Sequence, residues 1–240
     1  LFDLRSLPLC ITHSDCSDSQ RLLDVSTSGG MSLSSAKLEA AARRCGEAVE
    51  KTLIGTQAGI AYGYQSTGRT AHNSTILSTV WGYTTFPYRN TKTNFTAPTA
   101  GGWDPDDTVN EVLAAISQLY DDKVYGPFVI YHSTDWSQYM NRTYSYSGGN
   151  NQASTLRKVL MEIEDVQDVR RLDYLTSTFT FIIASLTSDV VQAVTFLPIT
   201  VVQWPTVGGL QQNWKTMVGN VPLFRADYSG NAGVLHGTTT

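Results

Sequence analysis

Three side chains that often act together in catalysis, His132, Ser133 and Asp135, follow directly on an apolar run. A nucleophilic serine works with a base and a carboxylate. The run predicts a β-strand, on which neighbouring side chains point to opposite faces, so His132 and Ser133 cannot easily form a nucleophile–base pair. The Gly-x-Ser-x-Gly turn of a nucleophile elbow is also missing from the sequence. We predict instead that Ser133 caps the helix that follows and that Asp135 favours its positive end.

A second group, Cys10, His13 and Cys16, has the residue types of metal ligands. Zinc fingers and ribbons supply a second ligand pair at similar spacing, and the sequence contains none. The third cysteine, Cys45, lies on the apolar stripe of a predicted helix, where a buried thiol packs as a small hydrophobic group. Three cysteines are an odd number and do not indicate a disulfide framework.

The remaining candidates lack a recognisable motif. The stretches TSGGMS and YSGGNNQAS precede predicted helices, but they lack the lysine of a phosphate-binding loop and the Gly-x-Gly-x-x-Gly spacing. Glu162 and Glu164 lie near a helix end, where solvation is the expected state, and His13, His72 and His236 lie far apart. The sequence therefore predicts no catalytic, cofactor-binding or metal-binding residues, and a protein that is not an enzyme.

The composition predicts a folded protein with unusually little charge. Of 240 residues, 41 % are hydrophobic and 16 % are charged, which suffices for one large domain or two smaller ones. A low charge content fits a surface that neighbouring molecules occupy. Seventeen basic and twenty-one acidic residues give a net charge of −4, without the basic cluster that binds nucleic-acid phosphates. The apolar stretches are too short to span a bilayer.

The elements that would position these residues are irregularly interleaved. In the first half we predict an extended segment over 1–12 and a turn-rich stretch over 13–33 that contains a short helix at Gln20–Asp24. A long helix over Ser35–Ile54 that ends at a glycine follows, and then loops with short strands over 56–104. Asp104 as N-cap and Pro105 at the first helical position predict the next helix.

The second half follows the same mixed pattern. We predict a strand at 127–132, a short helix at about 134–141, a third long helix at about Gln152–Glu164, strands at 166–175, 179–188 and 189–206, the last interrupted by Pro198, and an extended segment over 213–237. There is no regular βαβ repeat, so the pattern favours an α+β architecture.

Several segments together resemble one family. They are LPLCITHSD, AKLEAAARRCGEAVEKTLIGT, YGPFVIYHSTDWSQYM, TLRKVLMEIEDVQDVRRLDYL, SDVVQAVTFLPITVVQWPT and RADYSGNAGVLHG. In this order the chain resembles the major capsid proteins of tailed phages with the Hong Kong 97-type fold, and the related encapsulin shell proteins, over nearly its whole length.

The resemblance implies a domain organisation. Residues 1–123 would form the first part of a peripheral domain, with a spine helix at about 35–54. Residues 124–192 would form the axial domain, and residues 193–240 the return strands of the peripheral domain. The His132 region would then be the first axial strand and the start of the next helix, which is scaffold.

The resemblance also implies a front that the sequence largely lacks. Relatives carry an N-terminal arm and an extended loop before the spine helix, and this sequence starts at what would be the last strand of that loop. Proteolytic maturation and a divergent or omitted front remain open as explanations. Because the loop is missing, we assign no cross-linking residue.

The function implied is structural. We expect a major capsid protein that assembles with itself into pentamers and hexamers of an icosahedral shell, in a virion assembled in the host cytoplasm. The shell would enclose a phage genome without sequence-specific DNA binding, with scaffolding, portal or decoration proteins as candidate partners, no membrane partner and no cofactor. The alternatives are an encapsulin-type compartment with protein cargo and a secreted binding protein, which three glycosylation sequons would suit.

Overall fold

The computed structural model of the chain describes residues 7–29, 33–58, 60, 63–66, 77–145, 153–175, 178–206, 208–227 and 229–239. Its helices are Gln20–Ser28 (α1), Leu33–Ile54 (α2), Pro105–Asp121 (α3), Ser137–Met140 (α4) and Leu156–Met161 (α5), with a 3-10 turn at Thr134–Trp136. Its strands are Ile11–Ser19 (β1), Gly63–Ser66 (β2), Leu77–Val80 (β3), Asn90–Phe95 (β4), Phe128–His132 (β5), Thr143–Ser145 (β6), Ala153–Thr155 (β7), Val166–Arg171 (β8), Phe181–Ser185 (β9), Val191–Pro205 (β10), Gln211–Phe224 (β11) and Val234–Thr239 (β12). This irregular succession confirms the predicted α+β class.

The chain forms two compact units. The first contains Leu1–Leu53, Gln57–Val80 and Ala193–Leu223, and the second contains Ile54–Thr56, Trp81–Gln192 and Phe224–Thr240. Residues 81–123 and 224–240 were predicted to lie in the domain of the long helix, but they belong to the second unit. The reason is that α3 packs into the core of that unit and β12 pairs within its sheet. The assignment of the units to peripheral and axial domains stays a prediction.

In the first unit, a three-stranded sheet is accompanied by the long helix. The strand order is β1-β11-β10, and β1 runs antiparallel to β11. One side of α2 is buried, and the buried Cys45 thiol lies 3.7 Å from the backbone oxygen of Thr216 on β11. The predicted long helix and the packing of Cys45 are therefore confirmed. Gly55, with φ at +102°, ends the helix in the left-handed region where glycine is favoured.

The long strands differ from the prediction at three places. β1 extends to Ser19, where the sequence predicted a turn-rich stretch, whereas α1 begins at Gln20 like the predicted short helix and runs on to Ser28. The part of the first prediction over residues 1–6 lies outside the described residues. β10 continues through Pro198, because a strand at the edge of a sheet tolerates a residue without an N–H donor. The predicted extended segment over 213–237 is divided between β11 and β12, which lie in different sheets.

The second unit is built on a five-stranded sheet of order β4-β12-β9-β5-β8. The central strand β9 pairs antiparallel with both β12 and β5, whereas β5 with β8 and β12 with β4 are parallel pairs. Its core contains the side chains of Phe95, Val112, Ala115, Ile116, Leu119, Phe128, Ile130, Trp136, Met140, Leu156, Leu160, Val166, Val169, Phe181, Ile183 and Leu235. The sheet therefore holds β5, and with it His132, in the interior.

The start of α3 is the local feature that the sequence predicted in most detail. The Asp104 carboxylate accepts the N–H of Asp106 at 3.2 Å, and Pro105 is the first helical residue. The Asp107 carboxylate accepts the N–H of Asp104 at 3.0 Å, which completes a capping box. The predicted N-cap is confirmed.

The predicted third long helix is wrong in length. Only Leu156–Met161 is helical, and the Thr155 hydroxyl caps it by accepting the N–H of Lys158 at 3.3 Å. The residues before it, Ala153–Thr155, pair antiparallel with Thr143–Ser145. A β-hairpin therefore uses residues that the periodicity assigned to the helix, and Gln152 lies outside the described residues.

Candidate interaction surface

His132, Ser133 and Asp135 lie where β5 ends, and Ser133 forms a hydrogen-bonded pair with Thr180. The Ser133 hydroxyl accepts the N–H of Thr180 at 3.3 Å, and the Ser133 N–H donates to the Thr180 backbone oxygen at 3.0 Å. Ser133 is only 1 % exposed and makes no side-chain bond to the turn that follows. The predicted helix cap is therefore wrong: this hydroxyl bonds to the residue just before β9, 47 residues further along the chain, which a local pattern cannot reveal.

The His132 ring does not engage the serine hydroxyl. Its Nδ1 lies 2.9 Å from the backbone oxygen of Ser133, and the side chain is only 4 % exposed. Burial lowers the pKa of His132, and the nearby cations Arg157 and Arg171 lower it further. A ring that faces a carbonyl cannot also take a proton from the Ser133 hydroxyl through that nitrogen. The geometry of His132 and Ser133 is therefore typical of structural residues, and it does not fit a nucleophile with its base.

We expect the substitution Ser133→Ala to lower the free energy of unfolding by about 1–3 kcal/mol, because it leaves the buried Thr180 N–H without its acceptor. Chemical denaturation of the two proteins measures the difference. Ser137→Ala is the matched control, since the buried Ser137 hydroxyl has no partner among the described residues and its loss should leave stability unchanged. Equal effects of the two substitutions would contradict this role of Ser133.

The extended course of the chain separates the cysteine and histidine side chains of the second candidate group. His13 and Cys16 are three residues apart on β1, so their side chains point to opposite faces of the strand. Cys10 and Cys16 are six residues apart, which is about 20 Å along an extended chain. The structure therefore does not bring these three side chains together. Among the described residues, no group of three or more histidine, cysteine or acidic side chains could hold a metal ion.

Of the other two histidines, His72 lies outside the described residues and His236 lies inside the second unit, on β12. Nε2 of His236 is buried and has no hydrogen-bond partner among the described residues. Burial, with a smaller contribution from Arg89, lowers the pKa of His236 to about 4. The folded protein therefore favours the neutral ring.

We expect the protein to lose stability on acidification before its carboxylates titrate. A histidine whose pKa falls from 6.5 to about 4 on folding contributes stability that is complete above pH 6.5 and is lost as the pH falls towards 4. For His236 this is about 2 kcal/mol between pH 7.5 and pH 5. Melting temperatures across this range measure it, and His236→Gln should flatten the profile. An unchanged profile in His236→Gln would refute the assignment.

The most prominent surface feature is the edge strand β10 of the first unit. None of its residues is buried, and five large apolar side chains are between 38 % and 55 % exposed: Phe196, Ile199, Val201, Val202 and Trp204. Phe196 lies over Gly219 of β11, where a Cβ atom would come within 2.3 Å of its ring. Phe196, Val202 and Trp204 lie on one face of the strand and Ile199 and Val201 on the other, and we call the five side chains together the β10 surface.

The β10 surface could have been found in the sequence from the lack of charged residues around it, which a search for catalytic motifs or hydrophobic periodicity does not detect. No charged residue occurs between Asp189 and Lys215, a stretch of about one tenth of the chain. The edge strand β8 of the second unit is different, since Asp168 and Arg170 form an ion pair of 2.6 Å there. Arg170 also lowers the pKa of Asp168. Charges protect an exposed edge against association, and β10 lacks them.

None of the described helices combines the length and the apolar character that a membrane crossing requires.

Comparison with solved structures identifies the fold. The chain is similar to the capsid of the Myoviridae phage XM1, with a TM-score of 0.65 and 14 % identity over 98 % of this chain and 74 % of that one. It is similar to the capsid of an empty GTA particle, with a TM-score of 0.60 and 10 % identity over 98 % and 73 % of the two chains. It is also similar to a virus-like particle from Pyrococcus furiosus, with a TM-score of 0.57 and 12 % identity over 95 % and 76 %. The fold is the Hong Kong 97-type capsid fold, as the resemblance implied.

The family of the chain is defined at the level of sequence. The model of DUF6260, a family of unknown function, matches residues 14–237, and the chain belongs to this family. No curated protein sequence matches the chain significantly.

Proposed function

We propose that this protein is a structural subunit that assembles with itself into a closed icosahedral shell around a phage genome. The observation that carries the proposal is the Hong Kong 97-type fold over nearly the entire chain, which is similar to the capsids of a phage and of a GTA particle. Such a shell forms when repeated contacts between identical subunits close on themselves. Pentamers and hexamers in a virion capsid, as the resemblance implies, are part of this proposal.

The chemistry of the candidate residues supports a structural role over an enzymatic one. Ser133 and His132 bond to the backbone, and the extended chain separates the side chains of Cys10, His13 and Cys16. We therefore propose that the protein is not an enzyme. The β10 surface is exposed, apolar and free of charged residues, which is typical of a protein–protein contact and not of a catalytic site.

The test is to purify the protein and to examine it by sedimentation and negative-stain microscopy. We expect uniform closed particles of megadalton mass. Particles that carry a genome absorb strongly at 260 nm, whereas a compartment loaded with protein absorbs mainly at 280 nm. The similarity to the Pyrococcus furiosus particle makes the absorbance comparison worthwhile. A protein that stays monomeric at all concentrations would refute the shell proposal.

A further inference from the structure

Helix α1 contributes no buried side chain to the first unit. None of its nine residues is buried, and its apolar side chains Leu22 and Val25 are 45 % and 62 % exposed. An isolated helix of fewer than about 12 residues is marginal in water, and helices in proteins are stabilised mainly by the packing of an apolar face. Because α1 lacks this packing, its stability depends on interactions within the segment itself.

The interactions within α1 are those of a weak helix. It has no acidic residue in its first turn and no basic residue in its last turn, so no charged side chain complements the helix dipole there. The Ser19 hydroxyl accepts the N–H of Leu22 at 3.4 Å, which is long for an N-cap bond. Near the end of α1, the hydroxyls of Ser26 and Thr27 donate to the Leu23 oxygen at 2.9 Å and 2.8 Å, and such bonds slightly destabilise a helix.

Hydrogen bonds to the rest of the first unit hold only the start of α1. The Gln20 N–H donates to the Leu210 oxygen at 2.9 Å, and the Gln20 side-chain amide donates to the Asp24 carboxylate at 3.0 Å. In the part of the chain that the structure describes, the other hydrogen bonds of α1 stay between Ser19 and Gly29. If α1 opens, a single backbone bond to another element is therefore lost.

The elements on both sides of α1 are held together without it. The Asp18 carboxylate near the end of β1 forms an ion pair with Lys37 on α2, and Asp18 is only 5 % exposed. The last residue of β1, Ser19, pairs with Gln211 on β11. These contacts stay in place when α1 opens. A segment with few buried contacts between two firmly held elements can unfold locally.

We propose that α1 is a conformational device of the first unit, a segment that opens and re-forms on its own while β1 and α2 stay folded. This opening involves contacts within one chain only, so it is independent of the proposed function. It provides a place where the surface of a folded subunit changes without unfolding of the subunit.

Hydrogen exchange of the full chain, followed by mass spectrometry, tests the local opening. We expect the amides of residues 24–28 to exchange within about tenfold of the rate in an unstructured peptide, and those of residues 41–50 on α2 at least about a hundredfold more slowly. Ser19→Ala removes the N-cap and should speed exchange in α1 severalfold without affecting α2. Equal rates in α1 and α2 would overturn the proposal, and so would exchange in α1 at the unstructured rate that Ser19→Ala does not change.

Val25→Pro on α1 and Val49→Pro on α2 form a matched pair, since both place a proline inside a helix. Because α1 opens alone, we expect Val25→Pro to shift the melting temperature by less than about 2 °C, and Val49→Pro to lower it by at least about 6 °C. If Val49→Pro does not fold, the comparison of Val25→Pro with the wild type still decides the question. A large loss of stability in Val25→Pro would show that α1 is an integral part of the fold.

Limited digestion with trypsin provides an independent measurement. Arg21 on α1 and Arg43 and Arg44 on α2 are all exposed residues inside helices, so surface exposure alone does not distinguish them. Cleavage requires local unfolding of the helix that carries the site. We expect cleavage after Arg21 to be at least about tenfold faster than cleavage after Arg43 or Arg44. The same rate at all three sites would contradict the independent opening of α1.

Discussion

Replacing Trp136 with alanine is expected to lower the free energy of unfolding by about 3–5 kcal/mol, as is typical of a large aromatic side chain lost from a core. The indole is fully buried, and its ring centroid lies 4.6 Å from that of Phe181 on β9 and 5.6 Å from that of Phe179. The substitution leaves a cavity between the short helices after β5 and the sheet. Chemical denaturation monitored by circular dichroism measures the loss.

Trp136→Phe is the control that separates packing from hydrogen bonding. The buried Nε1 of Trp136 has no acceptor among the described residues, so phenylalanine keeps most ring contacts and removes an unsatisfied donor. We expect a cost of about 1 kcal/mol or less for this variant. If Trp136→Phe were as damaging as Trp136→Ala, an interaction of the indole nitrogen would have to explain the stability.

The second large effect is expected at Gly82, where Gly82→Ala should destabilise the protein by about 3 kcal/mol. A Cβ atom at this position would lie 2.4 Å from both the nitrogen and the Cα of Gly55. These are backbone atoms, and the contact is fixed further because the Thr84 N–H donates to the Ile54 oxygen at 3.0 Å. The two segments cannot separate without breaking this bond. Thermal denaturation of the variant measures the cost.

Gly46→Ala provides the matched control for Gly82. Gly46 lies in the interior of α2, and nothing lies within 4 Å of the position that its Cβ would take. Alanine is favoured over glycine inside a helix, so we expect a gain of about 0.5–1 kcal/mol. A loss at Gly46 similar to that at Gly82 would mean that helix or turn preferences, and not the close approach of Gly55 and Gly82, dominate both results.

The sequence predicted best the features that depend on neighbouring residues. The start of α3 follows from Asp104 and Pro105, and the end of α2 follows from Gly55, because caps and stops involve groups within one helical turn. The order of segments also resembles the capsid fold, and comparison with solved structures confirmed that fold. The absence of catalytic and metal-binding residues, by contrast, stays a prediction.

What the sequence by itself determined, then, is the long helix α2, the start of α3, the low charge and the resemblance to the capsid fold. The tertiary structure alone decided how distant segments pair: the Ser133 hydroxyl bonds to Thr180 instead of the next helix, and β12 pairs between β4 and β9. It also decided that β10 is an edge strand, which makes Pro198 tolerable and leaves the β10 surface exposed. The physical reason is that a hydrogen-bond partner or a sheet neighbour is set by the packing of the whole unit, whereas propensity and periodicity describe only one segment at a time.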